Sequence, residues 1–282
     1  MSESRTGAVA RLFDEVSASY DQTGVAFIGP IADRLTELLA PERGEQVVDL
    51  GCGRGAMTMR LAHRVGPEGR LTALDLSANM AAATRAEAER AGLTWVDVRT
   101  GDAADPDLPT GCASLVSASL LLFFLPDPEA AVRRWLALLA PGGRLGLTTF
   151  GVQDEVWHQV DALFDPYLPP QVLDARTSGR RGPFASEAAL AALVEQAGGE
   201  VVRSSEEPLT VSFTDVAQWE RFSRSTGQRQ MWDHVPEAEL PDLRKAAASL
   251  FEPTRSGPDQ PIQVSQIVRY TVVRSAGDPA RA

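Results

Sequence analysis

The stretch Val47-Val48-Asp49-Leu50-Gly51-Cys52-Gly53-Arg54-Gly55-Ala56-Met57-Thr58 decides how this chain folds. An apolar run carrying one acid, Asp49, leads into three glycines within five residues, and a helical apolar pattern begins at Ala56. That order reads as a buried strand, a tight turn and a helix. A turn without Cβ atoms lets a ligand approach the bare backbone. The helix that follows adds free N–H groups and a partial positive charge at its N-terminus.

Working outward, the alternation of strand and helix repeats. Residues 8–20 and 25–40 read as helices, the second with Ile28, Ile31, Leu35, Leu38 and Leu39 on one face and ended by Pro41 and Gly44. After the glycine turn come a helix over 56–65, a strand over 70–75, an alanine-rich helix over 79–91 and a strand over 94–99. A fourth strand covers 115–119. The next helix has Asp127 as its cap and Pro128 at its first position, and it stops at Pro141-Gly142-Gly143. A fifth strand covers 144–150. This rhythm implies right-handed βαβ units and a mostly parallel sheet.

Beyond Phe150 the rhythm breaks. Residues 151–183 mix Trp157, Phe164, Tyr167 and prolines, and read as irregular or partly helical. Ser186 caps a helix over 187–197, which Gly198-Gly199 ends. A long strand follows over 200–213, then two helical pieces within 215–252 and a last alternating strand over 262–274. The two strands are expected to pair antiparallel, with the helical piece inserted between them. The tail SAGDPARA reads as disordered.

Composition narrows the partners. The 282 residues carry a formal net charge of −11, which argues against a duplex nucleic acid, whose binding rests on neutralising phosphates. No apolar run approaches the length of a membrane span, and the first residues lack the apolar core of an export signal. Cys52 and Cys112 have neither metal spacing nor a disulfide framework around them. The expectation is a cytoplasmic protein with a small-molecule partner, no nucleic acid, no membrane and no metal. A homodimer is left open.

The glycine turn by itself admits several ligands. Gly51, Gly53 and Ala56 satisfy the dinucleotide spacing, and Asp75 stands at the distance of a ribose contact. Asp49, two residues before Gly51, shifts the balance: a carboxylate there repels a pyrophosphate and suits a ligand bearing ammonium and sulfonium charges. Asp75 after the second strand can accept from a ribose diol. Gly101-Asp102-Ala103 after the third places an acid where an adenine amine could donate. All lie beyond the carboxyl ends of adjacent strands, where open α/β sheets bind ligands.

With these residues in place the chain resembles class I S-adenosylmethionine-dependent methyltransferases. VVDLGCGRGAMT, LTALDLSANM, TGDAADPDLP and LLLFFLPDP…LLAPGGRLGL look like that family's successive motifs, and Phe13-Asp14-Glu15-Val16-Ser17-Ala18-Ser19-Tyr20-Asp21 matches the opening F-D-x-x-A-x-x-Y-D of the subgroup that includes ubiquinone/menaquinone and natural-product methyltransferases. The likeness is specific over about residues 10–150 and extends to the rest in layout. It implies a Rossmann-like α/β fold: a seven-stranded, mostly parallel sheet with an antiparallel last strand, helices on both faces and a helical lid. It implies S-adenosylmethionine as cofactor. Gly51, Cys52 and Gly53 would meet its methionine part through the backbone, Asp49 its amino group and Tyr20 its carboxylate. Asp75 would bind the ribose, Leu76 and Met80 would flank the adenine, and Gly101, Asp102 and Ala103 would read its edge. Ser117 would lie beneath the methionine part. The chain departs from the pattern at Phe123-Phe124, where the family often carries a histidine pair, and at Ser114, where an acid is usual.

The implied layout places covering helices at 1–45, the cofactor core at 46–150 and a variable substrate segment at 151–185. Residues 186–213 and 262–274 complete the sheet, 214–261 form the lid, and 275–282 are the tail. Methyl transfer needs a general base only if the acceptor must lose a proton. His158 and His234, both in variable segments, are the candidate bases, and His63 reads as a surface residue. Phe123, Trp157 and Trp232 are the candidate acceptor pocket, with an apolar, aromatic acceptor in secondary metabolism as the expectation. Without the histidine pair, carbon or nitrogen methylation is slightly favoured over oxygen. The alternatives are a quinone-precursor methyltransferase and, from another class, a non-catalytic nucleotide-binding protein or a dehydrogenase.

Overall fold

A computed structural model describes residues 5–170, 172, 182–257 and 259–276. Residues 171 and 173–181 of the variable segment, and 277–282 of the tail read as disordered, lie outside the described residues. Five parallel strands build the first part of the sheet: β1 (Gln46–Leu50), β2 (Arg70–Asp75), β3 (Val96–Thr100), β4 (Ala113–Ser119) and β5 (Leu139–Gln153). β6 (Gly199–Phe213) and β7 (Ile262–Ser275) complete it in the order β3-β2-β1-β4-β5-β7-β6, with β7 antiparallel to both neighbours. The order reverses between β1 and β4, and the glycine turn leaves β1 at that switch point, where two strand ends diverge and open a crevice.

Helices cover both faces. On one side lie α2 (Ile28–Leu39), α3 (Ala56–Val65) and α4 (Ala78–Arg90), which bury Ile31, Leu35, Leu39, Leu61 and Val65 completely or nearly so. On the other, α5 (Pro128–Ala137) and α7 (Glu187–Gln196) bury Trp135, Val132, Leu190 and Val194. Gly146 of β5 lets Leu39 reach the sheet, since a Cβ there would stand 2.7 Å from Leu39 Cδ1. Ahead of the sheet runs α1 (Arg5–Val16), and α6 (Glu155–Ala162) follows β5.

Several element ends move by up to five residues from the sequence expectation, as where α1 ends at Val16 and β5 begins at Leu139, and two changes alter the layout. The helix opened by Asp127 stops at Ala137, and Pro141-Gly142-Gly143 is already part of β5 rather than its stop. The insertion between β6 and β7 forms three helices, not two: α8 (Val216–Arg224), α9 (Arg229–Asp233) and α10 (Leu240–Phe251). Its aromatics build a core of their own, continuous with that of α2 and α3.

Candidate functional site

The turn after β1 is held from below and from the side. Beneath it, Asp49 is 1% exposed, and its two carboxylate oxygens accept from Thr58 Oγ1 and Ser117 Oγ, each at 2.6 Å. Burial pushes the Asp49 carboxyl up to about 6, with the two hydroxyls opposing and the Asp75 charge adding to the rise. At the side, Asp75 Oδ2 accepts from the Gly53 N–H at 2.7 Å and Oδ1 from the Ser77 N–H at 2.9 Å. Gly51, Gly53 and Gly55 have φ of 67°, 53° and 90°, the left-handed region that side chains disfavour. A Cβ on Gly53 would reach 3.7 Å from the Tyr20 ring, and one on Gly51 would strike Leu121 at 2.9 Å. The path therefore requires glycine.

A cleft opens over this turn. Its walls are Gly51–Arg54, Tyr20 and Asp21 at one end, and Ile28, Ala32, Ser119 and Leu120 at the other. Tyr20 lies at the end of the segment that follows α1, and Arg54 Nη1 ties that segment down by donating to the Ser17 carbonyl at 2.7 Å. Asp14 of α1 clamps the opposite side, accepting from Ser77 Oγ and, at 3.2 Å, from the Asn79 N–H at the start of α4. Burial, with Asp21 and Asp75 beside it, pushes the Tyr20 phenol well above its ordinary value, so it serves as a donor and not as a base. The Cys52 thiol is raised by burial and by the charges of Asp75 and Asp49, which makes it a small inert wall.

Several sequence assignments change. His158 and His234 are both exposed, neither lines the cleft, and His234 Nδ1 lies 2.7 Å from the Gln230 carbonyl one turn back. They are corrected as candidate bases, because His158 on α6 and His234 just past α9 both face solvent. Trp157 and Trp232 are also corrected: at 4% and 2% exposed they fill the core of the inserted helices. Trp232 donates to Ser223 Oγ at 2.8 Å and packs on Trp219 and Phe164, with Arg224 over its ring. Phe123 is not a wall of the described cleft. It stacks on Phe150 at 5.4 Å and meets Phe184 edge-on, while Phe124 turns to Phe13 of α1 at 5.2 Å. Met80 is 1% exposed and packs with Leu12 and Val16 between α1 and α4.

The adenine-side loop is brought to the end of β2. Leu76 is half-buried beside Asp75, the Gly101 N–H donates to the Asp75 carbonyl at 2.9 Å, and Asp102 Oδ1 accepts from the Ala104 N–H. Ala103 is buried, and its carbonyl accepts from Trp135 Nε1 at 2.7 Å.

Sequence reasoning missed Ser119 and Thr148. Fully buried Thr148 Oγ1 accepts from the Leu120 N–H at 2.9 Å and lies 2.9 Å from Ser119 Oγ. A buried hydroxyl that cannot donate loses about 1–3 kcal/mol. Either hydroxyl can donate to the other, and Ser119 of the pair lines the cleft. Leu120 stands at φ 53°, a strained backbone at the cleft wall. No spacing rule marks these residues, because their pairing joins β4 to β5 across the sheet.

A Rossmann-like sheet with an acid-flanked glycine turn at its switch point defines a nucleoside-binding enzyme fold. Residues 47–143 match the family model described as a methyltransferase domain. The chain is 35% identical over 281 residues to nocamycin O-methyltransferase of Saccharothrix syringae, covering 96% of this chain and 93% of that one. It is 34% identical over 166 residues to aklanonic acid methyltransferase DauC of Streptomyces sp. strain C5, covering 59% of this chain and 76% of that one. Among solved structures, the [4+2]-cyclase SpnF shares the fold with a TM-score of 0.56 at 20% identity, covering 88% of this chain and 81% of that one. The chain belongs to the class I S-adenosylmethionine-dependent methyltransferases. The cleft fits that cofactor: a Cβ-free cradle, an acid at the end of β2 and a buried carboxylate below suit a cationic amino-acid nucleoside.

Proposed function

We propose that the enzyme methylates an oxygen of a small apolar molecule of secondary metabolism that is already acidic, a carboxylic acid or an enol. The observation that carries this is the cleft wall next to β4 and β5. It holds a hydroxyl, Ser119, and no histidine or lysine among the described residues. The relatives named for nocamycin and for aklanonic acid, the first an O-methyltransferase, support oxygen over the carbon or nitrogen favoured from sequence. An acid brings its own anion, so no base is needed.

In this reading Gly51, Cys52 and Gly53 line the methionine part, Asp75 and Leu76 the ribose and adenine, and Gly101 with Asp102 the adenine edge. Ser117 and Asp49 support the turn from below. The cofactor supplies an activated methyl group on a sulfonium. The protein orients the acceptor in line and excludes water, and such positioning can supply about 7–11 kcal/mol of the barrier. Residues 1–45 cover the cofactor, and the insertion at 214–261 with the segment at 151–185 forms the acceptor lid. Phe124 meets Phe13 of α1 and lies beside Gly227 of the insertion, where a Cβ would stand 3.4 Å from its ring, and so joins the two covers.

The test offers a polycyclic aromatic carboxylic acid, the matching phenol and the matching amine with S-adenosylmethionine, and reads products by mass spectrometry. Methyl ester from the acid is expected. Methylation only of the amine, or of a ring carbon, would overturn the proposal.

A further inference from the structure

We propose that Asp21 and Arg54 hold the amino-acid end of the cofactor as a pair, Asp21 taking its ammonium and Arg54 its carboxylate. This rests on the methyltransferase reading and replaces the roles that the motifs suggest for Asp49 and Tyr20. Asp49 does not line the cleft, and both of its oxygens are already engaged by Thr58 and Ser117. Tyr20 presents a neutral phenol. Asp75 is occupied by the Gly53 and Ser77 N–H groups at the ribose end. Of the side chains that line the cleft, the charged ones are Asp21 and Arg54. One acid and one base match the one ammonium and one carboxylate of the ligand.

The guanidinium of Arg54 is set for this task. Its Nη1 is committed to the Ser17 carbonyl, which fixes the plane of the group. Its Nε is buried and has no hydrogen-bond partner among the described residues. The edge formed by Nε and Nη2 is therefore the free side of the fork, the geometry that takes a carboxylate through two parallel hydrogen bonds. A buried donor without a partner is disfavoured, and a carboxylate would satisfy it.

Asp21 makes the complementary case. Its φ of 55° is a left-handed conformation that costs a non-glycine residue about 1–2 kcal/mol, and it is held there by the turn that carries Tyr20 into the cleft. Burial keeps its carboxyl above the ordinary value, and Arg60 and Arg54 pull the other way. No protein donor reaches the carboxylate among the described residues. A bound ammonium would complete it.

The experiment titrates wild type, Arg54→Met, Arg54→Lys and Asp21→Asn by calorimetry with two ligands. S-adenosylhomocysteine carries the amino acid; 5′-deoxy-5′-methylthioadenosine has the same nucleoside and thioether without it. Arg54→Met and Asp21→Asn are expected to weaken the first at least tenfold and to change the second less than twofold. Arg54→Lys keeps the charge and a donor for Ser17 but loses the fork, so it reads the carboxylate contact even if Arg54→Met destabilises the fold. It is expected to show the same selective loss. Parallel weakening of both ligands would mean that Arg54 merely ties α1 down, and unchanged binding of the first would remove the pair altogether. Either overturns the proposal. A wild type that binds neither ligand would instead overturn the family reading beneath it.

Discussion

Replacing Asp49 by asparagine tests how the buried acid works. Its carboxyl sits at about 6 against an ordinary 3.8, with burial as the main cause. The native state thus holds a proton more tightly than the unfolded chain. Between about pH 4 and pH 6 folding takes up this proton, so stability falls as pH rises through that window. Above it the full penalty of the ionised group remains, about 3 kcal/mol for a shift of this size. A cationic ligand repays that penalty by favouring the ionised form. If binding restores an ordinary carboxyl, cofactor affinity at pH 5 should be about tenfold below that at pH 7.5, because about one molecule in ten is ionised there. Asp49→Asn keeps partners for Thr58 and Ser117 and removes the charge. It should melt higher at pH 7.5, bind S-adenosylmethionine about a hundredfold more weakly there, as a shift of this size implies, and lose the pH dependence that the wild type shows. Calorimetric titrations at half-unit steps, with thermal melts alongside, check all three. Equal pH slopes in the two proteins would refute the reasoning, since Asp75 and Asp21 contribute to both alike.

Asp75→Ala removes the acceptor for the Gly53 and Ser77 N–H groups together with the proposed ribose contact, and should weaken S-adenosylhomocysteine at least tenfold by calorimetry; an unchanged dissociation constant would place the ribose elsewhere. His158→Ala and His234→Ala should each leave kcat within about twofold, because both rings are exposed; a hundredfold loss in either would restore it as a base. Trp232→Ala should lower stability by about 3–5 kcal/mol in denaturant melts, as expected for a large buried ring; a loss of acceptor affinity at unchanged stability would return Trp232 to the pocket.

The sequence by itself determined the frame. The apolar run, the glycines and the capped helices repeat with fixed local periods, so β1, α3 and β2 lie where residues 46–50, 56–65 and 70–75 put them. The acids at 49, 75 and 102 were legible because each lies at or just beyond the carboxyl end of a strand. Tertiary structure alone decided which side chains face the ligand. Trp157 and Trp232 looked like pocket walls because aromatic content cannot distinguish a pocket from a core, and the inserted helices needed a core. His158 and His234 could not be placed until the helices had faces. Asp49 looked like a ligand group, yet Ser117 from β4 and Thr58 from α3 close over it. The Ser119–Thr148 pair exists only because β4 and β5 lie side by side. Periodicity is a local property that the chain carries within a few residues, whereas a cleft is made where distant segments meet, and their packing sets which polar groups stay unpaired.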